Sequence, residues 1–296
     1  MNGILNINKP VGSTSFDIVS TVRKLIGERR VGHAGTLDPI ASGVLPVCFG
    51  QGTRVIEFLQ EASKVYWAHI ELGTATDTYD ASGKIIKQAD YSSISKEQLE
   101  QALESFRGAI LQTPPMFSAV KHNGQRLYNL ARQGISVERK SRPATIHGLE
   151  ITDFKPPFLT LEVECSRGTY IRSLAHDLGE MLGCGAHLFE LVRLSYGPFD
   201  IGDAISLTQL EDAAINNLWQ HYVYPMDSVL RHWPTTVVNE EQERLIINGS
   251  GIDVADSPVE VIDDNRCLAY NKEGDLLAIL ILNAGNGHWQ PQKVFV

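Results

Sequence analysis

Gly32-His33-Ala34-Gly35-Thr36-Leu37-Asp38-Pro39 reads as a shaped loop between two apolar elements. Glycine reaches backbone angles closed to other residues, and Pro39 fixes its own φ. A helix or a strand tolerates neither habit in such density. Asp38 is the one group of fixed charge in the stretch, with the short polar side chains of His33 and Thr36 beside it. A rigid loop that presents a lone carboxylate suits a nucleophile or a general base. The plainer reading is a turn in which Asp38 only accepts hydrogen bonds from backbone amides.

On both sides of this loop the chain alternates short strands and helices. Ile4, Leu5 and Ile7 form an apolar run that ends at Lys9-Pro10, and Val11 to Ser15 is a turn. Ser15 is placed to cap a helix with Phe16, Val19, Val22 and Ile26 as its apolar face and Gly27 as its stop. Arg23, Lys24, Arg29 and Arg30 then bring positive charge toward the Asp38 loop. After the loop, Val44 to Phe49 reads as a buried strand in which Pro46 marks an irregularity or an edge. Thr53 to Leu59 is predicted as a helix. Val65 to Leu72 is predicted as a strand with Val65, Trp67 and Ile70 to Leu72 among its apolar positions. Within it Tyr66, read alone, is a core aromatic with a hydrogen-bonded hydroxyl.

Ser95-x-x-Gln98 is a capping box, followed by Leu99, Leu103 and Phe106 at helical spacing up to Gly108. Leu159, Leu161, Val163 and Cys165 alternate with Thr160, Glu162 and Glu164, a strand with one wet face. It runs into Ser166-Arg167-Gly168-Thr169-Tyr170-Ile171-Arg172, which opens a helix reaching Leu182-Gly183. A cation at a helix start sits at the unfavourable end of the dipole, so Arg172 calls for an anionic partner. Beyond residue 232, Val259–Ile262, Cys267–Tyr270, Leu276–Leu282 and Lys293–Val296 read as strands of a small barrel.

A chain of 296 residues with 43% hydrophobic content can bury a sizeable core in one large and one small domain. No apolar run nears the roughly 20 residues of a membrane helix. The N-terminus lacks the marks of a signal peptide, so a cytoplasmic protein is expected. Cys48, Cys165, Cys184 and Cys267 are scattered and read as buried free thiols. Cys184 and His187 lack a second pair to complete a tetrahedral zinc site. The net charge of −9 is unevenly placed: 21 Lys and Arg against 22 Asp and Glu through residue 203, then 5 against 13. Within 107–147 stand Arg107, Lys121, Arg126, Arg132, Arg139, Lys140 and Arg142 against Glu138 alone. Such a strip, with Tyr128 inside it, suits an RNA backbone and base stacking.

The Asp38 loop, continued through Ile40-Ala41-Ser42-Gly43-Val44-Leu45-Pro46-Val47, resembles the catalytic loop of the TruB family of tRNA pseudouridine synthases. Lys9-Pro10-x-Gly12-x-Thr14-Ser15 resembles the family's first motif. Lys64-Val65-Tyr66 with Leu72-Gly73-x-x-Thr76-Asp77-Thr78-x-Asp80-Ala81-x-Gly83 resembles its second block. Thr113-Pro114-Pro115-Met116-Phe117-Ser118-Ala119-Val120-Lys121, continued through Gly124-x-x-Leu127-Tyr128-x-x-Ala131-Arg132-x-Gly134, resembles another segment, and the Ser166 to Arg172 stretch its third motif. Gly183-Cys184-Gly185-Ala186-His187-Leu188 extends the match to Leu191 and Arg193. Single motifs misfire, but ordered blocks at the right intervals rarely arise by chance.

The resemblance implies an α+β fold: a mixed, largely antiparallel sheet core flanked by helices over 1–231, and a small PUA-like β-barrel over 232–296. It implies isomerisation of uridine to pseudouridine in the T-loop of tRNA (position 55), without metal or organic cofactor. Asp38 would be the catalytic residue, with Arg172 beside it. His33 would fill the gap left by a flipped nucleotide, Tyr66 and Tyr170 would flank the flipped base, and Leu191 would line the pocket. Lys121, Arg126, Arg132 and Arg142 are the candidates for RNA backbone contact. A carboxylate can attack C1′, act as a base in a glycal route, or add to the uracil at C6, and the sequence leaves these open. The expected partner is the T-arm of tRNA, with no membrane, no obligate protein partner and a monomeric state. The alternative is a noncatalytic RNA-binding or tRNA-folding module, which would keep the basic strip without needing Asp38.

Overall fold

A computed structural model describes residues 1–253, 265–283, 285 and 287–295. One ten-stranded sheet carries the fold. Along its main path the strands run Val223–Tyr224, Gly3–Lys9, Ala41–Phe49, Ala186–Tyr196, Lys64–Leu72, Phe158–Cys165, Arg142–Lys155 and Gly108–Gln112. Every neighbouring pair on this path is antiparallel except Ala41–Phe49 with Ala186–Tyr196, which is parallel. That exception brings the end of the Asp38 loop beside Leu191, which pairs with Ala41.

The two halves of the sheet are buried differently, and the sequence patterns follow. Strands Gly3–Lys9 and Ala41–Phe49 are covered on both faces, which calls for near-continuous apolar runs. On one face Leu5, Ile7, Leu45 and Val47 meet Ile18, Val19 and Val22 of helix Ser15–Ile26, with Ile205 and Leu210. On the other, Ile4, Val44 and Cys48 meet Trp233, Leu268, Ile279 and Phe295 of the C-terminal part. Strands Lys64–Leu72 and Phe158–Cys165 bury mainly one face, where helices Lys96–Glu104 and Ile171–Met181 pack.

Several expectations shift in detail. Thr14, not Ser15, is the N-cap: its hydroxyl accepts from Asp17 N, and Asp17 accepts from Thr14 N. The buried face is then Ser15, Ile18, Val19 and Val22, leaving Phe16 66% exposed. Gly27 stops the helix in the left-handed region as expected. The segment predicted as helix from Thr53 is a 3-10 turn over Gly50–Val55 followed by one α turn, Ile56–Leu59. Along Lys64–Leu72 the buried positions are Lys64, Tyr66, Ala68, Ile70 and Leu72, so Val65 and Trp67 lie on the wetter face. Pro46 sits in an interior strand, between the stretch paired with Ala186–Tyr196 and the stretch paired with Val31–His33. Its carbonyl accepts from Ala34 N, so its missing N–H faces that same gap and breaks no ladder bond.

The C-terminal part is a five-stranded sheet, in the order Thr235–Val237, Arg266–Tyr270, Leu276–Asn283, His288–Val294 and Ile252–Asp253, with helix Glu240–Ile247. Among the described residues it curls into a half-barrel, in keeping with the small β-barrel expected. The predicted strand Val259–Ile262 lies outside the described residues. Among the described residues no helix is long and apolar enough to cross a membrane.

Candidate active site

Clamps on every side shape the Asp38 loop. Ser15 Oγ accepts from Leu37 N at 2.9 Å and donates to Leu37 O at 3.1 Å. Gly12 N donates to Pro39 O at 2.7 Å, and Lys9 Nζ donates to Ala41 O at 2.6 Å. Gly35 adopts φ +66°, the left-handed conformation that glycine permits. The first part of the loop is more regular than expected, because Val31–His33 pairs with the end of Ala41–Phe49. The motif Lys9 to Ser15 therefore holds the loop through two side chains and one amide that bond to the loop backbone.

Asp38 and Arg172 lie 134 positions apart in sequence and meet at 3.0 Å, Nη2 to Oδ2. They share a cavity of about 730 Å³ with Tyr66, Tyr170 and Leu191. Arg172 is 5% exposed and uses both arms of its fork. Nη2 also donates to Phe117 O at 2.8 Å, and Nη1 donates to Thr78 O at 3.3 Å and Asp80 Oδ2 at 3.4 Å. Asp80 is itself buried and accepts from Thr78 Oγ1 at 2.7 Å and from Ser82 N at 3.0 Å. The cation at the helix start is thus held between two carboxylates and two carbonyls, which offsets both its burial and its place on the dipole.

Asp38 keeps 39% of its side chain open to the cavity, while protein closes in on its other sides. Loss of water raises its pKa above the ordinary carboxylate value. Arg172 is the strongest influence against that rise, Asp80 adds to it, and Lys9 opposes it. Burial lowers the pKa of Lys9 to about 8, with the Asp38 charge acting the other way. Burial also raises the hydroxyl pKa of Tyr66 and of Tyr170, leaving both neutral. Tyr170 is held at both ends of its peptide: its N donates to Gln112 Oε1 at 2.9 Å, and Gln112 Nε2 donates to its carbonyl at 3.2 Å.

The remaining candidates divide. Leu191 and Arg142 line the cavity. His33 is half-buried in its strand, its Nδ1 has no partner among the described residues, and it is not among the cavity-lining residues. Lys121 and Arg126 face each other across a hairpin whose turn is Asn123-Gly124, both at positive φ as that tight turn requires. Arg126 and Arg132 lie over the Tyr128 ring at 5.8 and 5.6 Å. Lys121, Arg126, Arg132 and Arg142 are all exposed. Arg107 leaves the basic strip, bound in ion pairs to Glu100 and Glu104. Arg23 and Lys24 occupy the last turn of the first helix, at the end away from Ser15.

Three residues of the site had no role assigned from sequence. Asp80 stands in a quoted block, but its link to Arg172 spans 92 positions. Lys64 and Arg193 both line the cavity. A charged residue on the apolar phase of its strand is a signal that could have found Lys64.

Residues 23–171 match the TruB family pseudouridylate synthase N-terminal domain, and residues 172–231 match the tRNA pseudouridylate synthase B C-terminal domain. A tRNA pseudouridine synthase B of Dehalococcoides mccartyi is 47% identical over 100% of this chain and 97% of its own. Its namesake in Clostridium acetobutylicum is 45% identical over 94% of this chain and 95% of its own. A chain in the crystal structure of a Cbf5-Nop10-Gar1 complex superposes with a TM-score of 0.78 at 26% identity, covering 99% of this chain and 85% of that one. By sequence match over its whole length and by fold, the chain belongs to the TruB family of pseudouridylate synthases.

Proposed function

We propose that this chain isomerises uridine to pseudouridine in the T-loop of tRNA, at position 55, with Asp38 as the nucleophile and the target base flipped into the cavity. The observation that carries the reading is the Asp38–Arg172–Asp80 arrangement beside Tyr66, Tyr170 and Leu191. Relatives named for tRNA supply the substrate class. By direct attack, one of the three routes left open above, the Asp38 carboxylate takes C1′ as the N1–C1′ bond breaks, and the uracil leaves with the bonding pair. The base turns, C5 attacks C1′, and the carboxylate leaves. C5 then loses its hydrogen while N1 gains a proton, so the reaction is an isomerisation. Flipping the nucleotide costs a few kcal/mol. Stacking against Tyr66 and Tyr170 offsets part of that cost. Lys121, Arg126, Arg132 and Arg142 supply phosphate contacts. Residues 1–231 form the catalytic unit, and 232–296 a PUA-like unit.

A noncatalytic RNA-binding module is the rival. It has no use for a carboxylate whose ionised form is disfavoured by burial and sustained by a buried guanidinium. Tritium release from tRNA carrying 5-³H-uridine separates the two, since isomerisation must expel the hydrogen on C5. Asp38→Asn keeps the shape and removes the charge. It is expected to abolish release and leave tRNA affinity nearly unchanged. Multiple turnover by the pure variant would sink the assignment.

A further inference from the structure

Arg193 has no exposed surface. Burying a guanidinium without a carboxylate is costly. Arg193 nonetheless forms no ion pair among the described residues; two of its hydrogen bonds go to carbonyls, and the Tyr66 hydroxyl also lies within its reach. Nε donates to Val44 O at 2.6 Å and Nη2 donates to Gly35 O at 3.1 Å. Those two carbonyls stand on either side of Asp38 in the chain. One planar side chain therefore ties both ends of the segment that presents the carboxylate.

The surroundings of Arg193 fit that task. Across the sheet it lies opposite Tyr66 on one side and Gly43 on the other. Its guanidinium carbon lies 4.9 Å from the centre of the Tyr196 ring, and Lys64 Nζ lies 4.2 Å from the same centre. A Cβ at Gly35 would come within 2.9 Å of that ring and 3.4 Å of Arg193 Nη1, so glycine allows the loop to approach. At Gly43 a Cβ would meet the Arg193 backbone at 2.3 Å.

We infer that Arg193 is a positioning residue for the reaction. It staples the two ends of the Asp38 segment and sets them against Tyr66, fixing the distance between carboxylate and stacking ring. The inference rests on the reading of Asp38 as the nucleophile. A planar fork holds two widely separated carbonyls in one fixed geometry, which a compact ammonium on a flexible stem does not reproduce. In Arg193→Lys the loop then loses one anchor and Asp38 loosens from Arg172.

The test uses the full chain with Arg193→Lys, single-turnover tritium release from 5-³H-uridine tRNA, and filter binding of the same tRNA. The rate is expected to fall about 10- to 100-fold, as displacements of about 1 Å can cost. The dissociation constant should stay within about threefold, since phosphate contacts made elsewhere dominate affinity for RNA. The acid limb of the rate profile should also move to higher pH, because Asp38 loses contact with the cation that favours its charge. A full rate at an unmoved limb, with only a lower unfolding temperature, overturns the inference and leaves Arg193 as scaffold. Should Arg193→Lys fail to fold, Tyr196→Leu decides, since it keeps Arg193 and removes the ring that orients it. A reduced rate at unchanged affinity supports the staple, and an unchanged rate overturns it. Wild-type protein and Asp38→Asn run alongside: turnover by Asp38→Asn overturns the functional reading together with the staple. Turnover by wild type but not by Asp38→Asn, with Arg193→Lys at the wild-type rate, overturns only the staple.

Discussion

Replacing Arg172 by Met removes a guanidinium that four acceptors share. Asp38, Asp80, Thr78 O and Phe117 O each lose a donor at 2.8 to 3.4 Å. The two carboxylates bear this unequally. Asp38 has 39% of its side chain open and recovers water, whereas Asp80 has 5% and cannot. Breaking a buried pair costs about 3–5 kcal/mol, and here that cost falls mostly on Asp80. The effect on pH follows from sign. The Asp38 pKa is raised in the folded protein, so its charge costs stability above that pKa, and the cost fades as pH falls and the group protonates. Arg172 opposes the rise, so without it the Asp38 pKa climbs further. The variant should therefore lose most stability at mildly alkaline pH and recover the Asp38 share in acid. The acid limb of the rate profile should move toward neutral pH. Urea unfolding at two pH values and single-turnover tritium release measure both. A stability loss under about 1 kcal/mol, typical of an exposed pair, with an unmoved acid limb would refute the reasoning. Arg172→Lys should restore the limb in part, because one ammonium cannot serve four acceptors.

The parts of the fold legible in the sequence were those decided locally. Alternation along Leu159 to Cys165 marked a strand with one wet face, and the Ser95 to Gln98 box marked a helix start, because period and cap chemistry act over a few residues. Phase was harder. Thr14 and Ser15 are both capable caps, and only the clamp on Leu37 shows why Ser15 lies inside the first turn. Pro46 reads as an edge residue, yet the gap between two partner strands lets it stand in an interior strand. Family resemblance placed Arg172 beside Asp38, which spacing alone could not do. Asp80 and Arg193 carried no role because their contacts cross 92 and 158 positions and go to a guanidinium and a carbonyl. Such pairings belong to the topology of the sheet.

Ser15→Ala should leave Leu37 N and O without partners inside the protein, costing about 1–3 kcal/mol by urea unfolding, with a larger loss in single-turnover rate than in tRNA affinity. No change in either would mean the loop is held without that clamp. Lys121→Glu with Arg142→Glu should weaken tRNA binding and flatten the plot of log affinity against log salt by a slope of about 1–2. An unchanged slope would show that these exposed residues meet no phosphate. Asp80→Asn tests the site in the direction opposite to Arg172→Met. Asparagine keeps the shape and can still accept from Thr78 and Ser82, but it withdraws a negative charge that now raises the pKa of Asp38. The acid limb of the rate profile should therefore move to lower pH. The rate at its plateau should fall, because Arg172 loses one of the two carboxylates that hold it. A limb that moves upward instead would mean that Asp80 acts on Asp38 through the position of Arg172 and not through its charge.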